Sequence, residues 1–155
     1  GGFTFWPGNG SPHKWGSIYA TFALLESQEA GFHVPQTIID RALDYLKTLP
    51  ASPWRDFVLA KAGLLKTQSL KWMKPAKGKK PLGREALLLG AGALQLAGYP
   101  EEAKKILSSA LKAKAGRNGE QGEVFFSPLR LQALQLYVAQ LILPGNPENL
   151  NLARG

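Results

Sequence analysis

The chain has 155 residues, room for one domain built on one core. Its apolar share of 45% is that of a folded globular protein, so a folded chain is expected, and no apolar run reaches about 18 residues, which excludes a membrane-spanning helix. It contains no cysteine, which excludes disulfides, thiolate metal sites and a cysteine nucleophile within these residues and is compatible with any compartment. The net charge of +8 raises the question of a nucleic-acid partner, but the excess is local. Lys66, Lys71, Lys74, Lys77, Lys79, Lys80 and Arg84 crowd around Gly78 and Pro81. Such a run reads as a solvated loop, and Trp72 is the one aromatic there on which a base could stack, so no nucleic-acid partner is expected.

The opening Gly1-Gly2-Phe3-Thr4-Phe5-Trp6 has neither an initiator Met nor the basic start and apolar stretch of a signal peptide. An excised or processed segment is expected, with targeting signals outside it. The first helix is expected from about Ser17 to Ala30, with Ile18, Phe22 and Leu25 on one face and Tyr19, Ala23 and Ala30 widening the apolar surface. Its only charges are Glu26 and Glu29, so it should be buried on most sides, and Gly31 is its natural stop. A second helix runs from Pro35 to about Thr48 before Pro50. It is amphipathic, with Ile39, Leu43, Leu46 and Leu49 opposite Asp40, Asp44 and Lys47.

Ser52 to Leu65 reads as another apolar helix through Phe57, Val58, Leu59, Ala60, Ala62, Leu64 and Leu65. Lys66 to Lys80 then takes the place of its amphipathic partner, shortened to one turn around Leu70 and Trp72. Arg84 to Ala97 is uncharged after its first turn and stops at Gly98. Pro100 to Lys112 is amphipathic, with Ala103, Ile106, Leu107, Ala110 and Leu111 against Glu101, Lys104, Lys105 and Lys112. Glu101 and Glu102 in its first turn and Lys112 in its last suit the helix dipole. Pro128 to Leu143 carries the single charge Arg130 and ends at Pro144-Gly145.

Two internal repeats reinforce this alternation. Ala30-Gly31-Phe32-His33-Val34-Pro35 and Ala97-Gly98-Tyr99-Pro100 are one hinge used twice: a stop, an aromatic plug and a proline-led restart. Their separation is about two helical-hairpin units. Gly2-Phe3-Thr4-Phe5-Trp6-Pro7 and Gly122-Glu123-Val124-Phe125-Phe126-Ser127-Pro128 are both short alternating aromatic segments that lead into an almost uncharged helix. Buried helices alternating with amphipathic ones at this period predict an all-α fold, a partial α/α toroid of helical hairpins with alternating inner and outer helices. A TPR-like solenoid is the competing arrangement, but its helices keep more charge on both members of a pair.

Four blocks carry a resemblance. They are Gly1 to Gly8, Ser17 to Glu26 with Ala30 to Pro35, Asp40 to Leu46, and Gly92 to Leu107. Together with Gln132-Ala133-Leu134 through Pro147, they resemble the thioester domain of the bacterial α-2-macroglobulin family, a complement-like, terpenoid-cyclase-like toroid. The resemblance covers nearly the whole chain, and residues 1–155 are expected to be a single domain that is a fragment of that toroid. It implies a non-catalytic module of an endopeptidase inhibitor, whose parent is cleaved at a bait region and closes around the attacking protease. It also implies a periplasmic or extracellular place, anchoring of the parent at the inner membrane through an N-terminal lipid, and association with cell-wall synthesis proteins. The family's thioester motif, of the Cys-x-Glu-Gln type, is absent, as is a His in the stretch Thr48 to Pro53 that follows the second helix. Thioester chemistry is therefore expected upstream of Gly1 or in no part of the parent.

No catalytic, cofactor-binding or metal site and no cofactor is expected. Phe3, Phe5, Trp6 and Trp15 could stack on a sugar, but are read as a hydrophobic plug at the ends of inner helices. His13 and His33 lack the partners of a zinc site and are assigned to loop and hinge. Glu26 and Glu29 lie where toroidal glycosidases and cyclases often place carboxylates, the rival enzymatic reading of a glycosidase or cyclase, and equally suit a solvated helix end. Asp40 and Asp44 belong to a polar outer face. A helical-repeat protein-binding module is the third reading. The expected partners are proteases through the parent, neighbouring macroglobulin domains, and a second copy, because cut inner helices would leave apolar flanks.

Overall fold

The computed structural model describes residues 1–4, 10–74, 81–113 and 127–154. Phe5, Trp6, Lys77, Lys79, Lys80 and the aromatic segment of residues 122–126 lie outside the described residues. The described part holds seven α-helices and one 3₁₀ segment. They are α1 (Lys14–Glu29), α2 (Gln36–Thr48), α3 (Pro53–Lys61), the 3₁₀ segment (Thr67–Met73), α4 (Arg84–Leu96), α5 (Pro100–Lys112), α6 (Pro128–Ile142) and α7 (Glu148–Arg154).

Four helices form an inner arc in which α1 packs on α3, α3 on α4 and α4 on α6. Behind each seam sits an outer element. The amphipathic α2 covers α1 and α3, the 3₁₀ segment covers α3 and α4, and α5 covers α4 and α6. This is the expected all-α, toroid-like order of alternating inner and outer helices. The core follows from it: α2 buries Ile39, Ala42, Leu43 and Leu46, and α5 buries Ala103, Leu107 and Ala110. The central α4 buries an unbroken run from Leu88 to Ala93.

Within that run Gly92 is a packing requirement. A Cβ built on it would stand 2.5 Å from Cε2 of the fully buried Phe57 of α3. The missing side chain is what lets α3 and α4 approach at the centre of the arc.

The two predicted hinges share one geometry. At Gly31 and Gly98 the backbone turns to φ +87° and +86°. Phe32 N–H donates to Ser27 O at 3.0 Å and Tyr99 N–H to Leu94 O at 2.9 Å, the six-residue closure of a Schellman turn. The aromatics, however, are no plugs: Phe32 is 70% and Tyr99 43% exposed. The turn uses their amide groups, and it is Val34 that packs on the core.

Several boundaries differ for identifiable reasons. The first helix starts at Lys14, ahead of the expected Ser17, because His13 Nδ1 accepts the Gly16 N–H at 3.0 Å and caps it. The third stops at Lys61, short of Leu65, in another Schellman turn, with Leu64 N–H on Leu59 O at 2.8 Å. The short α7 was not foreseen from its mixed polar sequence. It packs on α6, and the nearly buried Asn149 Nδ2 binds Gln140 Oε1 and Leu143 O, each at 2.9 Å. Finally, α1 is less buried than expected. Ser17, Ile18, Thr21 and Leu25 are enclosed, but Tyr19 is 38% exposed; among the described helices the backbone of α1 packs on α2 and α3.

Candidate functional site

Side chains of the inner helices meet along the arc in an aromatic ladder. Trp15 stacks on Tyr19 with centroids 5.1 Å apart, and Tyr19 and Phe22 pack on Trp54. Phe22 and Phe57 both lie against Tyr137 of α6, at 6.0 and 6.2 Å. Edge-on and offset contacts of this kind suit the ring quadrupoles. A polar cluster closes the ladder at each end, and the two clusters show that the inner helices run parallel.

At the N-terminal end, Trp54 Nε1 donates to Glu85 Oε1 at 2.7 Å. Arg130 Nη2 reaches both Glu85 oxygens, at 2.8 and 3.0 Å, while its guanidinium lies over the Trp54 ring, 5.9 Å from the centroid. The first turns of α3, α4 and α6 are thus tied together. Arg130, the single charge of its helix, serves as an internal tie.

The C-terminal end is held by Lys61, a residue that sequence reasoning did not select. Its side chain is 4% exposed, and its ammonium lies 2.7 Å from Glu26 Oε1, 2.6 Å from Glu29 Oε2 and 3.2 Å from Tyr137 Oη. All three of its N–H donors are therefore used. Tyr137 O–H in turn donates to Glu26 Oε1 at 2.7 Å. Burial pushes the Lys61 ammonium down, but the hydrogen bonds to Glu26, Glu29 and Tyr137 outweigh it and hold the charged form well above the ordinary lysine range. Burial, then the Glu26 carboxylate, push the Tyr137 phenol up to about 12, against the opposing pull of Lys61. At neutral pH Lys61 is an ammonium and Tyr137 a phenol. A lysine nucleophile must be a neutral amine, so Lys61 is poorly suited to covalent chemistry. Glu26 and Glu29 share the buried Lys61 cation. The signal was present in the sequence: Lys61 is the last residue of an otherwise apolar turn, and Tyr137 is the one aromatic of α6.

The remaining predicted residues are scattered. Phe3 is tied by its backbone, with its N–H on Ser17 Oγ at 2.8 Å and its carbonyl accepting His13 N–H at 2.9 Å. Trp15 is partly buried on Tyr19 and belongs to the ladder, while Phe5 and Trp6 of the expected plug lie outside the described residues. His33 is exposed in the first hinge. Asp40 accepts from Gln36 at 2.8 Å and Asp44 pairs with Lys47 at 2.9 Å, both on the outer face.

Of the basic run, Lys66, Lys71 and Lys74 are exposed, but Arg84 folds back to donate to Ala113 O at 2.9 Å, holding the end of α5. Trp72 donates its indole N–H to Oδ2 of the fully buried Asp56 at 2.8 Å, and Arg55 takes Oδ1 at 2.6 Å. Its N–H edge is thereby committed to the interior. Among the described residues there is no group of three or more His, Cys, Asp or Glu able to hold a metal, and no helix long and apolar enough to cross a membrane.

No protein-family model and no curated protein sequence matches the chain. Solved structures do. The native conformation of E. coli α-2-macroglobulin aligns with a TM-score of 0.74 at 22% identity, over 99% of this chain and 11% of that one. Salmonella α-2-macroglobulin reacted with methylamine gives 0.75 at 21% identity, over 99% and 11%. Trypsin-activated α-2-macroglobulin from E. coli gives 0.72 at 24% identity, over 99% and 12%. The chain thus spans about one-ninth to one-eighth of the length of these proteins. Its helices have the fold of a segment of the bacterial α-2-macroglobulins.

Proposed function

We propose that the chain is a non-catalytic module of a bacterial α-2-macroglobulin-like endopeptidase inhibitor, from the C-terminal part of its thioester-type toroid. The observation that carries this reading is the match of 99% of the chain, at TM-scores of 0.72 to 0.75, to one segment of such proteins. The polar clusters agree with it, because their donors and acceptors hold helices together and leave no free nucleophile. The native and trypsin-activated proteins match about equally well, at 0.74 and 0.72, which suits a module that keeps its fold while its parent changes shape. These residues contain no cysteine, so any thioester is formed elsewhere in the parent, and the module's part is to support or shield it.

In this reading the parent is periplasmic or extracellular and lipid-anchored. It meets proteases through its bait region, and the module docks on neighbouring macroglobulin domains near cell-wall synthesis proteins. The test uses the full-length parent. After cleavage of the bait region by a protease, the trapped enzyme should still cut a small peptide substrate while a large protein substrate is spared. Equal cutting of both substrates at every ratio of inhibitor to protease sinks the proposal. Residues 1–155 alone are proposed either to associate with a second copy or to be of low stability. Sedimentation should show a dimer in the first case, and a stable monomer at high concentration speaks against both.

A further inference from the structure

The backbones of α1 and α6 do not pack on each other, although both belong to the inner arc. Among the described residues, the polar and ring contacts that join them all pass through Tyr137. Its ring meets Phe22 at 6.0 Å, its hydroxyl donates to Glu26 at 2.7 Å, and Lys61 of α3 stands between the two. Glu26 and Glu29 both fall in the last turn of α1, where the helix dipole is negative and no basic residue of α1 offsets them. Left alone they would repel each other and loosen that turn. Lys61 reverses this, binding both carboxylates and the tyrosine from a nearly sealed position.

We propose that Lys61 is a three-way latch that ties the ends of α1 and α3 to Tyr137 of α6, so that the side-chain seam at Tyr137 is the first part of the inner arc to open when the latch is broken. This goes beyond the inhibitor reading and stands or falls without it. Lys61 acts by positioning Glu26 and Tyr137. The two flanking hairpins, α1 with α2 and α4 with α5, keep their own backbone packing when it is lost.

Hydrogen exchange of the whole chain tests this in Lys61→Met, Lys61→Arg and Tyr137→Phe, with Leu107→Ala as a control that weakens the core at the nearly buried Leu107 of α5. At conditions chosen to give equal global stability, amides of residues 26–32 and 134–141 should exchange about tenfold faster in Lys61→Met than in the control. Amides of α5 should differ by less than about twofold, and Lys61→Arg should restore the seam. Tyr137→Phe removes a single oxygen and keeps the test open if Lys61→Met does not fold; it should loosen the same two segments. An exchange pattern in Lys61→Met, or in Tyr137→Phe where Lys61→Met does not fold, that is indistinguishable from Leu107→Ala overturns the latch. So does Tyr137→Phe leaving both segments unchanged.

Discussion

Replacing Gly92 by Ala sets two effects of opposite sign against each other at the centre of the arc. Alanine in a helix interior is favoured over glycine by about 0.8–1 kcal/mol, so propensity alone predicts a more stable protein. The new methyl would stand 2.5 Å from Phe57 Cε2 and 3.1 Å from Cδ2. The ring has little room to retreat, being fully buried with Phe22, Trp54 and Tyr137 at 6.0, 6.2 and 6.2 Å. Overpacking of this kind costs about 1–3 kcal/mol, and a ring held on three sides belongs in the upper half of that range. The net expectation is a loss of about 1–2 kcal/mol, seen as a lower urea midpoint at unchanged slope. Phe57→Leu removes the atoms that the methyl would strike, so in that background Gly92→Ala should be neutral or stabilising. The double-mutant cycle should show a coupling of about 2 kcal/mol. Gly92→Ala that stabilises the parent, or costs the same in both backgrounds, would refute the close approach of α3 and α4.

Other outcomes follow from the clusters. Tyr137 keeps its proton to about 12 when folded, against an ordinary 10.0, and Lys61 is also raised; the folded state then binds more protons than the unfolded one at high pH. The stability contributed by these two groups should therefore be fully present below about pH 10 and fall as pH rises from there through 12, and Tyr137→Phe should flatten much of that slope in denaturant titrations. His13→Ala removes the cap of α1 and should cost about 0.5–1 kcal/mol in urea unfolding, whereas His13→Asn, which offers an acceptor at the same position, should recover most of it. Trp72→Phe leaves Asp56 Oδ2 buried without its indole donor and should cost about 1–3 kcal/mol, more than the loss of ring area explains.

Much of the fold was legible because charge is distributed so unevenly along the chain. Helices that must be enclosed on several sides can keep charges only near their ends, and α1, α4 and α6 obey this closely enough to be separated from α2 and α5 by inspection. The fifth helix was bounded to the residue, since Pro100 and the basic end at Lys112 mark both termini. Less legible were features that depend on a single local bond or a neighbour. His13 is an unusual cap, and nothing in its spacing announces that Nδ1 faces Gly16. Gly63 ends α3 although the apolar pattern continues through Leu64 and Leu65, because a left-handed turn overrides periodicity. Phe32 and Tyr99 looked like plugs since aromatic residues usually bury, yet the hinge needs only their backbone. The Lys61 cluster was half visible. Glu26 and Glu29 were singled out by their place at the end of an apolar helix, but their partners lie 32 and 111 positions away.

The placement of those partners explains how an arc of parallel helices is specified at all. Parallel inner helices put like dipole ends side by side, which is unfavourable unless the ends are neutralised. The N-terminal ends of α3, α4 and α6 meet around the Glu85 carboxylate, the sign that a cluster of positive helix ends calls for, and Arg130 balances it. The C-terminal ends of α1 and α3 meet around the Lys61 ammonium, again the complementary sign, with Glu26 and Glu29 as its counterions. Between these two centres the ladder is aromatic and carries no charge until Tyr137 meets Lys61. An arrangement of that kind disfavours sliding one inner helix along another by a turn, since a shift would move Lys61 away from two carboxylates and Glu85 away from Arg130 together. The few charges that the inner helices retain therefore set their register, while the apolar surface between them supplies the larger share of the stability.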